Sequence, residues 1–278
     1  MDQELDLSGP NPVSLPNPLL TTEPAAVVDG FQPAAAAVGS PVVINGRNFK
    51  VGDLVLFGTT LAGNVDYSGV PTRITAFVPS KAMTGPITVN LTASTAQFRV
   101  LPTFSGLSPD RGTPENTTVV ISGTGFNDKP ITVQFNTPNG PNGIVTGGDE
   151  RTIGVTVPKG AATGALRVTT KGGSVLTTVF TVLPQVPQIK NQNGFTPTSG
   201  AVGTQVRIFA KLGTQFEKIT SVSFKGPGIP KRVPATAFSV LNQKTEILAQ
   251  VPPGAVTGPI RVQNETGADS TSADFLVI

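Results

Sequence analysis

From about residue 27 onward the chain is written in short runs that alternate apolar and polar positions, such as TVVIS (118–122) and ITVQF (131–135). An alternation of period two, rich in Val, Ile, Thr and Phe, predicts half-buried β-strands. Between the runs lie turn residues drawn from 31 Gly and 26 Pro. No stretch carries the i, i+3, i+4 apolar spacing of an amphipathic helix, so the pattern predicts an all-β chain.

The strands come in a repeated order. The stretches VPSKAMTGPI (78–87), VPKGAATGAL (157–166) and VPPGAVTGPI (251–260) are near copies of one phrase. Ahead of each lies a strand ending in Gly and Phe: PVVINGRNF (41–49), TVVISGTGF (118–126) and the looser TQVRIFAKLGTQF (204–216). A second short strand ends in Phe at VLF (55–57), VQF (133–135) and VSF (222–224). A closing strand follows the phrase at FRVLP (98–102), FTVLP (180–184) and FLVI (275–278). Each repeat opens on an aromatic residue or Leu, a Pro and then a Gly, as in FQPAAAAVG (31–39), LSPDRG (107–112) and FTPTSGAVG (195–203).

A fixed set of markers in a fixed order, three times over, predicts tandem domains. The boundaries fall at 27–102, 103–184 and 185–278, each the right length for a seven-strand sandwich, after an extended Pro-rich arm over 1–26. All 15 Phe lie in the repeats, divided five, four and six, which predicts three aromatic cores. Leu-Pro at 101–102 and 183–184 predicts short, stiff junctions with limited hinging. The repeated phrase itself reads as a structural corner. Val ends a strand on the core side, Pro stops the ladder, the chain turns, and the Gly of the Thr-Gly pair supplies an unusual backbone angle.

These markers together resemble the IPT/TIG domain, an immunoglobulin-like, early-set β-sandwich. The opening Pro and Gly, the I-x-G-x-x-F strand, the V-x-F strand and the V-P-x-x-A-x-T-G corner all match. The third repeat departs from the pattern at RIFAKLGTQF, and its Phe224–Val251 spacing is 27 positions against 21 (Phe57–Val78) and 22 (Phe135–Val157). The resemblance implies spacer and binding modules, as in receptors and bacterial surface proteins. The Arg-rich DNA loops of the family's transcription factors have no counterpart here.

Composition narrows the chemistry. The chain has no Cys and no His, which excludes disulfides, thiol nucleophiles and the commonest general base. No apolar run reaches the length of a membrane span. The acidic start MDQELDLSGPNPV lacks the basic and apolar regions of a secretory signal, which predicts assembly without that export route. Asp2, Glu4, Asp6, Glu23 and Asp29 give residues 1–30 a charge of −5, against +8 for the rest. This predicts either a solvated acidic tail or an arm that docks on a basic surface, its own or a partner's. The basic residues are dispersed, so no nucleic-acid partner is expected, and the single Tyr and absent Trp leave few stacking platforms, which counts against both single-stranded nucleic-acid and carbohydrate sites.

No catalytic, metal or cofactor residue is assigned, and no enzyme is expected. Asp149–Glu150, after the Gly-rich NTPNGPNGIVTGG (136–148), lacks the alternating acids of a calcium loop. Asn90, Asn116 and Asn264 begin N-x-(S/T) triplets that read as chance matches. The candidate partner contacts are Asp2, Glu4, Asp6, Leu19 and Leu20 in the arm, and Lys231 and Arg232 in a loop of the third repeat, KGPGIPKRVPATAF (225–238).

The leading expectation is a structural protein of a phage virion, of decoration or fibre type. Its arm would anchor to capsid or other virion proteins, and its loops would be free for host-surface glycans or proteins, in multiple copies. The alternative is a bacterial cell-surface or extracellular adhesion or glycan-binding module. Surface display or polysaccharide titration separates the two.

Overall fold

The computed structural model describes residues 23–278 apart from Thr137 and Pro230. Its regular structure is strand throughout; among the described residues the one departure is a 3₁₀ turn at Asn242–Lys244. The strands enclose three separate hydrophobic clusters.

Around the first cluster, Val27–Gln32, Pro41–Arg47, Arg73–Phe77 and Val65–Asp66 form one sheet in that order. Ala35–Ala37, Thr92–Leu101, Gly85–Val89, Val55–Phe57 and Thr60–Leu61 form the facing sheet. The second sandwich repeats the plan. Thr103–Ser108, Thr118–Thr124, Thr152–Thr156 and Ile144–Gly148 face Arg111–Gly112, Ser174–Val182, Gly164–Thr169 and Thr132–Gln134. In the third, Phe195–Thr196, Gln205–Phe209, Glu246–Gln250 and Phe238–Leu241 face Arg232–Pro234, Ile219–Lys225, Arg261–Asn264 and Ala268–Ser270. In all three the chain crosses between sheets just after the opening Pro, and its next short strand runs parallel to the closing strand. This is an immunoglobulin-like β-sandwich plan.

The alternation seen in the sequence is the alternation of burial. Val42 and Ile44 point inward from Pro41–Arg47, as do Val119 and Ile121 from Thr118–Thr124. Three Phe per sandwich occupy the repeat positions and are fully buried: Phe49, Phe57 and Phe98, then Phe126, Phe135 and Phe180, then Phe216, Phe224 and Phe275. In each sandwich the V-x-F ring meets the closing-strand ring edge to face, at 5.1, 5.8 and 5.7 Å. Such pairs add about 0.5–1.5 kcal/mol beyond the area they bury.

The Gly of I-x-G-x-x-F has a steric cause. A Cβ on Gly46 would lie 1.9 Å from the Val27 carbonyl oxygen, and one on Gly123 would lie 1.9 Å from that of Thr103. Only Gly lets the first strand lie alongside. The third sandwich has Ala210 there, and its first strand shrinks to an Ile189–Ala210 bridge and the two residues Phe195–Thr196. The irregularity of RIFAKLGTQF is therefore a change of backbone packing at one edge.

The corner phrase differs from expectation in one respect. Val78, Val157 and Val251 are buried strand ends, and the chain turns through Ala N–H to Pro C=O bonds (Ala82–Pro79, Ala161–Pro158, Ala255–Pro252). The Gly in the left-handed region are Gly160 and Gly254, however, with Lys81 in their place in the first sandwich. The Gly of the Thr-Gly pair is there for close approach. A Cβ on Gly258 would lie 2.2 Å from the Lys225 side chain, and one on Gly85 would lie 3.2 Å from the Gly58 Cα. The Thr has a role of its own. Thr84, Thr163 and Thr257 accept the N–H of Val100, Val182 and Val277, at 3.0, 2.9 and 3.1 Å, and so pin the closing strand to the corner.

A second repeated polar device lies deeper. Ser94, Thr177 and Thr271, all buried, each accept a backbone N–H at 3.0 Å, from Ile87, Leu166 and Ile260. Each hydroxyl then donates to a nearby carbonyl, Ala96, Thr178 and Ala273. The donors lie in strands that pair with those bearing Ser94 and Thr177, and beside Arg261–Asn264 in the third sandwich; register shifts mark the first two pairings.

Candidate functional site

Both junctions between sandwiches are assembled from the same parts, and they differ in what fills them. At each, the corner of one sandwich faces two elements of the next: the loop around the I-x-G-x-x-F Phe and the hairpin after the corner's own strand.

At the first junction the two sides touch. Asp128, 2 % exposed, accepts the Thr84 N–H at 3.0 Å and the Thr84 hydroxyl at 2.6 Å. The Asn127 side-chain amide donates to the carbonyls of Lys81 and Ala82, and Lys171 Nζ donates to the Thr84 carbonyl. Gly172 packs so close that a Cβ would lie 1.9 Å from the Val100 carbonyl oxygen. Thr84 thus holds the closing strand of its own sandwich and the loop of the next.

At the second junction the hydrogen bonds run through the linker. Gln185 donates to the Pro114 carbonyl and to the Glu115 carboxylate. Asn264, 2 % exposed, donates to the carbonyls of Gln185 and Glu217, and the Thr266 hydroxyl donates to the Pro184 carbonyl. Between corner and loop remains a cleft of about 400 Å³. Pro114, Glu115, Lys159 and Gly160 line it from the second sandwich, Gly213, Thr214, Gln215, Glu217 and Thr245 from the third, and Gln185 from the linker.

Glu115 occupies a backbone position that recurs in all three repeats. Its N–H donates to the Val157 carbonyl, as that of Gly39 does to Val78 and that of Gly203 to Val251. All three residues have left-handed backbones, with φ of +64°, +84° and +91°. Two repeats fill the position with the residue suited to it, and the second fills it with Glu, at a cost of about 1 kcal/mol.

Of the candidates expected from sequence, Asp2, Glu4, Asp6, Leu19 and Leu20 lie outside the described residues. The described end of the arm lies on the chain's own first sandwich. Glu23 pairs with Lys50, and the Ala25 carbonyl accepts from Asn48 at 2.9 Å. Lys231 lies in the expected loop, whereas Arg232 begins a strand, Arg232–Pro234, that pairs with Ile219–Lys225. Lys231 is exposed, while Arg232 donates to the Pro259 carbonyl at 2.9 Å. Burial and then the neighbouring Arg261 push the Arg232 guanidinium below its ordinary pKa.

Asp149 is a turn former. It accepts the N–H groups of Arg151 and Thr152 and the Thr152 hydroxyl, which hold its carboxyl below the usual range. Among the described residues no three acidic side chains converge as metal ligands. Asn264 is a buried clamp, and Asn90 bridges Asp53 and the Leu54 N–H. Tyr67 donates to the Asp53 carbonyl, and burial raises its pKa. No helix among the described residues is long and apolar enough to cross a membrane.

Sequence reasoning missed Thr84–Asp128, Glu115 and Gln185. For Glu115 a signal was present: continuing the opening phrase of the second repeat three residues past Gly112 aligns Glu115 with Gly39 and Gly203.

No curated protein sequence matches the chain. Several solved structures are similar to it at low identity. One, described as a crystal structure with xylogluco-oligosaccharide, is 17 % identical over 91 % of this chain and 60 % of its own, with a TM-score of 0.37. The surface glycan-binding protein PbSGBP-B of Prevotella bryantii is 15 % identical over 76 % of this chain and 60 % of its own, with a TM-score of 0.40. The extracellular region of plexin A4 is 16 % identical over 86 % of this chain and 23 % of its own, with a TM-score of 0.28. The chain thus spans 60 % or less of the length of these three. Likenesses of this degree carry no argument about this chain. The IPT/TIG domain model matches residues 102–182, so the second sandwich is an IPT/TIG domain.

Proposed function

We propose that the chain is a non-catalytic spacer and binding module of a bacterial cell surface, built of three IPT/TIG-type sandwiches and directed at extracellular polysaccharide. The observation that carries it is the first junction. A buried carboxylate gripped by two donors, with three further hydrogen bonds around it, couples two sandwiches into one stiff body, which is what a spacer requires. The first and third sandwiches belong in this reading to the same family as the second, because they repeat its corner, its aromatic pair and both of its polar devices. Two of the similar structures are described with a xylogluco-oligosaccharide or as surface glycan-binding. Their similarity is too low to carry an argument about a ligand, so the polysaccharide reading rests on the test below.

The expectation of a virion protein combined the tandem sandwiches and the missing Cys and export signal with an anchoring arm, and the arm's candidate residues lie outside the described part. None of the three structures named above is described as a virion or capsid protein. The test is native gel electrophoresis of the full chain through gels containing neutral or acidic polysaccharides. Retardation in at least one gel is expected. Unretarded migration in all of them, with capture of virion proteins from infected lysate, overturns the reading in favour of the virion role.

A further inference from the structure

We infer that the cleft between the second and third sandwiches is the saccharide site, with Glu115 as its anchor; this rests on the polysaccharide reading above. Three observations converge on it. The first is comparison of the junctions. Where the first junction is plugged by Asn127 and Asp128 against the Thr84 corner, the second leaves corner and loop apart around about 400 Å³. That volume falls in the range of roughly 300–1,000 Å³ typical of small-molecule sites, and domain interfaces are where such sites concentrate.

The second is backbone strain. Glu115 stands in a left-handed position that the other two repeats give to Gly39 and Gly203. Glu115 is one of ten non-Gly residues with positive φ among the described residues, and residues held in such backbone gather at functional sites. Its carboxylate lines the cleft, with a single long hydrogen bond of 3.4 Å from Gln185.

The third is the chemistry of the lining. Glu115 and Glu217 line the space from the two sandwiches together with Gln185, Gln215, Thr214 and Thr245, and the Thr214 and Thr245 hydroxyls and the Gln215 amide also donate to the Lys211, Asn242 and Gln243 carbonyls. Among the described residues Lys159 is the one cationic side chain in the lining, and Lys244 pairs with Glu217 at 3.7 Å beside it. Carboxylates accept from hydroxyl groups, and amides both donate and accept. A neutral ligand dense in hydroxyls satisfies both. An anion would meet two carboxylates, and a bare metal ion would lack a third acidic ligand among the described residues. Among the described residues no aromatic side chain lines the cleft, so the sugar is gripped at its edges by hydrogen bonds instead of being stacked on a ring.

The test pairs stability with affinity. The Glu115→Gly and Glu217→Gln variants of the full chain are titrated calorimetrically with a soluble mixed-linkage β-glucan, a soluble starch and a tetrasaccharide of each, beside wild type. Their Tm values are recorded in parallel. Glu115→Gly relieves the backbone strain, so its Tm stays level or rises, while affinity for the glucan that wild type binds falls at least tenfold. Glu217→Gln keeps the side-chain shape and removes the charge from the opposite wall, and is expected to weaken binding several-fold. Weakened binding in either variant at undiminished Tm supports the site. Wild-type affinity in both folded variants overturns it and leaves the polysaccharide reading standing, with the cleft then acting as a hinge. Flat titrations of wild type with every glycan overturn both.

Discussion

Replacing Asp128 with Ala should uncouple the first two sandwiches without unfolding either. The side chain is 2 % exposed and makes no contribution to its own sandwich's core; its partners are the Thr84 N–H at 3.0 Å and the Thr84 hydroxyl at 2.6 Å, both across the junction. The Asp128 backbone carbonyl still accepts the Lys171 N–H in the variant, so the local loop keeps its shape. Hydrogen bonds to a charged group contribute about 1.5–3 kcal/mol each, and opening lets water satisfy the freed donors. A net loss of about 3 kcal/mol from the closed junction follows, which is roughly a hundredfold rise in its open population. The bonds from Asn127 and Lys171 remain and keep the opening partial. Asp128→Asn keeps one carbonyl acceptor and should lose about half as much. Backbone ¹⁵N relaxation reads the effect directly. In wild type the first two sandwiches tumble with one correlation time, and in Asp128→Ala the times separate while chemical shifts in both cores stay in place. A single shared correlation time in Asp128→Ala would refute the idea that this carboxylate sets the stiffness.

Other expectations follow from particular contacts. Thr177→Val leaves the buried Leu166 N–H without its acceptor and should cost about 1–3 kcal/mol by urea unfolding, whereas the same change at exposed Thr178 should cost under about 0.5 kcal/mol. Gly123→Ala puts a Cβ 1.9 Å from the Thr103 carbonyl oxygen and should lower the melting temperature of the second sandwich by several degrees, while Ala210→Gly in the third should shift it little. Asp66 is held below its ordinary 3.8 by the N–H and hydroxyl of Ser68, and Asp149 by the N–H groups of Arg151 and Thr152. A lowered folded-state pKa adds stability above the unfolded value and loses it as pH falls through the folded one. NMR titration should therefore place both midpoints below 3.8, and Asp149→Ala should narrow the stability difference between neutral and more acidic pH.

Much of the architecture was legible because it is written in residues with one structural use. The buried Phe of I-x-G-x-x-F, V-x-F and the closing strand recur at fixed places, and each repeat packs them the same way. The strand that begins at Arg232 was not legible. The Gly-Pro-rich composition around it reads as a loop, and pairing with Ile219–Lys225 is a long-range fact. The role of the corner Gly was misassigned for a related reason. Sequence shows that a Gly is needed, and whether the need is a left-handed angle, as at Gly160, or a crowded neighbour, as at Gly258, depends on what lies across the fold. Thr84 and Asp128 were invisible because their partnership spans 44 positions and two sandwiches.

The contrast between the junctions suggests how one repeat plan yields both a spacer and a site. Thr84, Thr163 and Thr257 all pin their closing strands, so each corner offers the same platform. What differs is the loop that meets it. In the second sandwich that loop follows Phe126 at once with Asn127-Asp128, short polar side chains that reach the corner and seal it. In the third the loop is three residues longer between the strand and Phe216, and it carries Gly213, Thr214 and Gln215 to the cleft wall instead. The same insertion accompanies Ala210, whose Cβ stands where the other two repeats admit the first strand. Loosening that edge and opening that cleft are thus two results of one local change in the third repeat. Shortening the 211–215 loop to the length found in the second sandwich, with Asn-Asp placed after Phe216, should close the cleft, merge the tumbling of the second and third sandwiches, and abolish saccharide binding together. Closure with binding intact would mean that the space between the sandwiches serves motion alone.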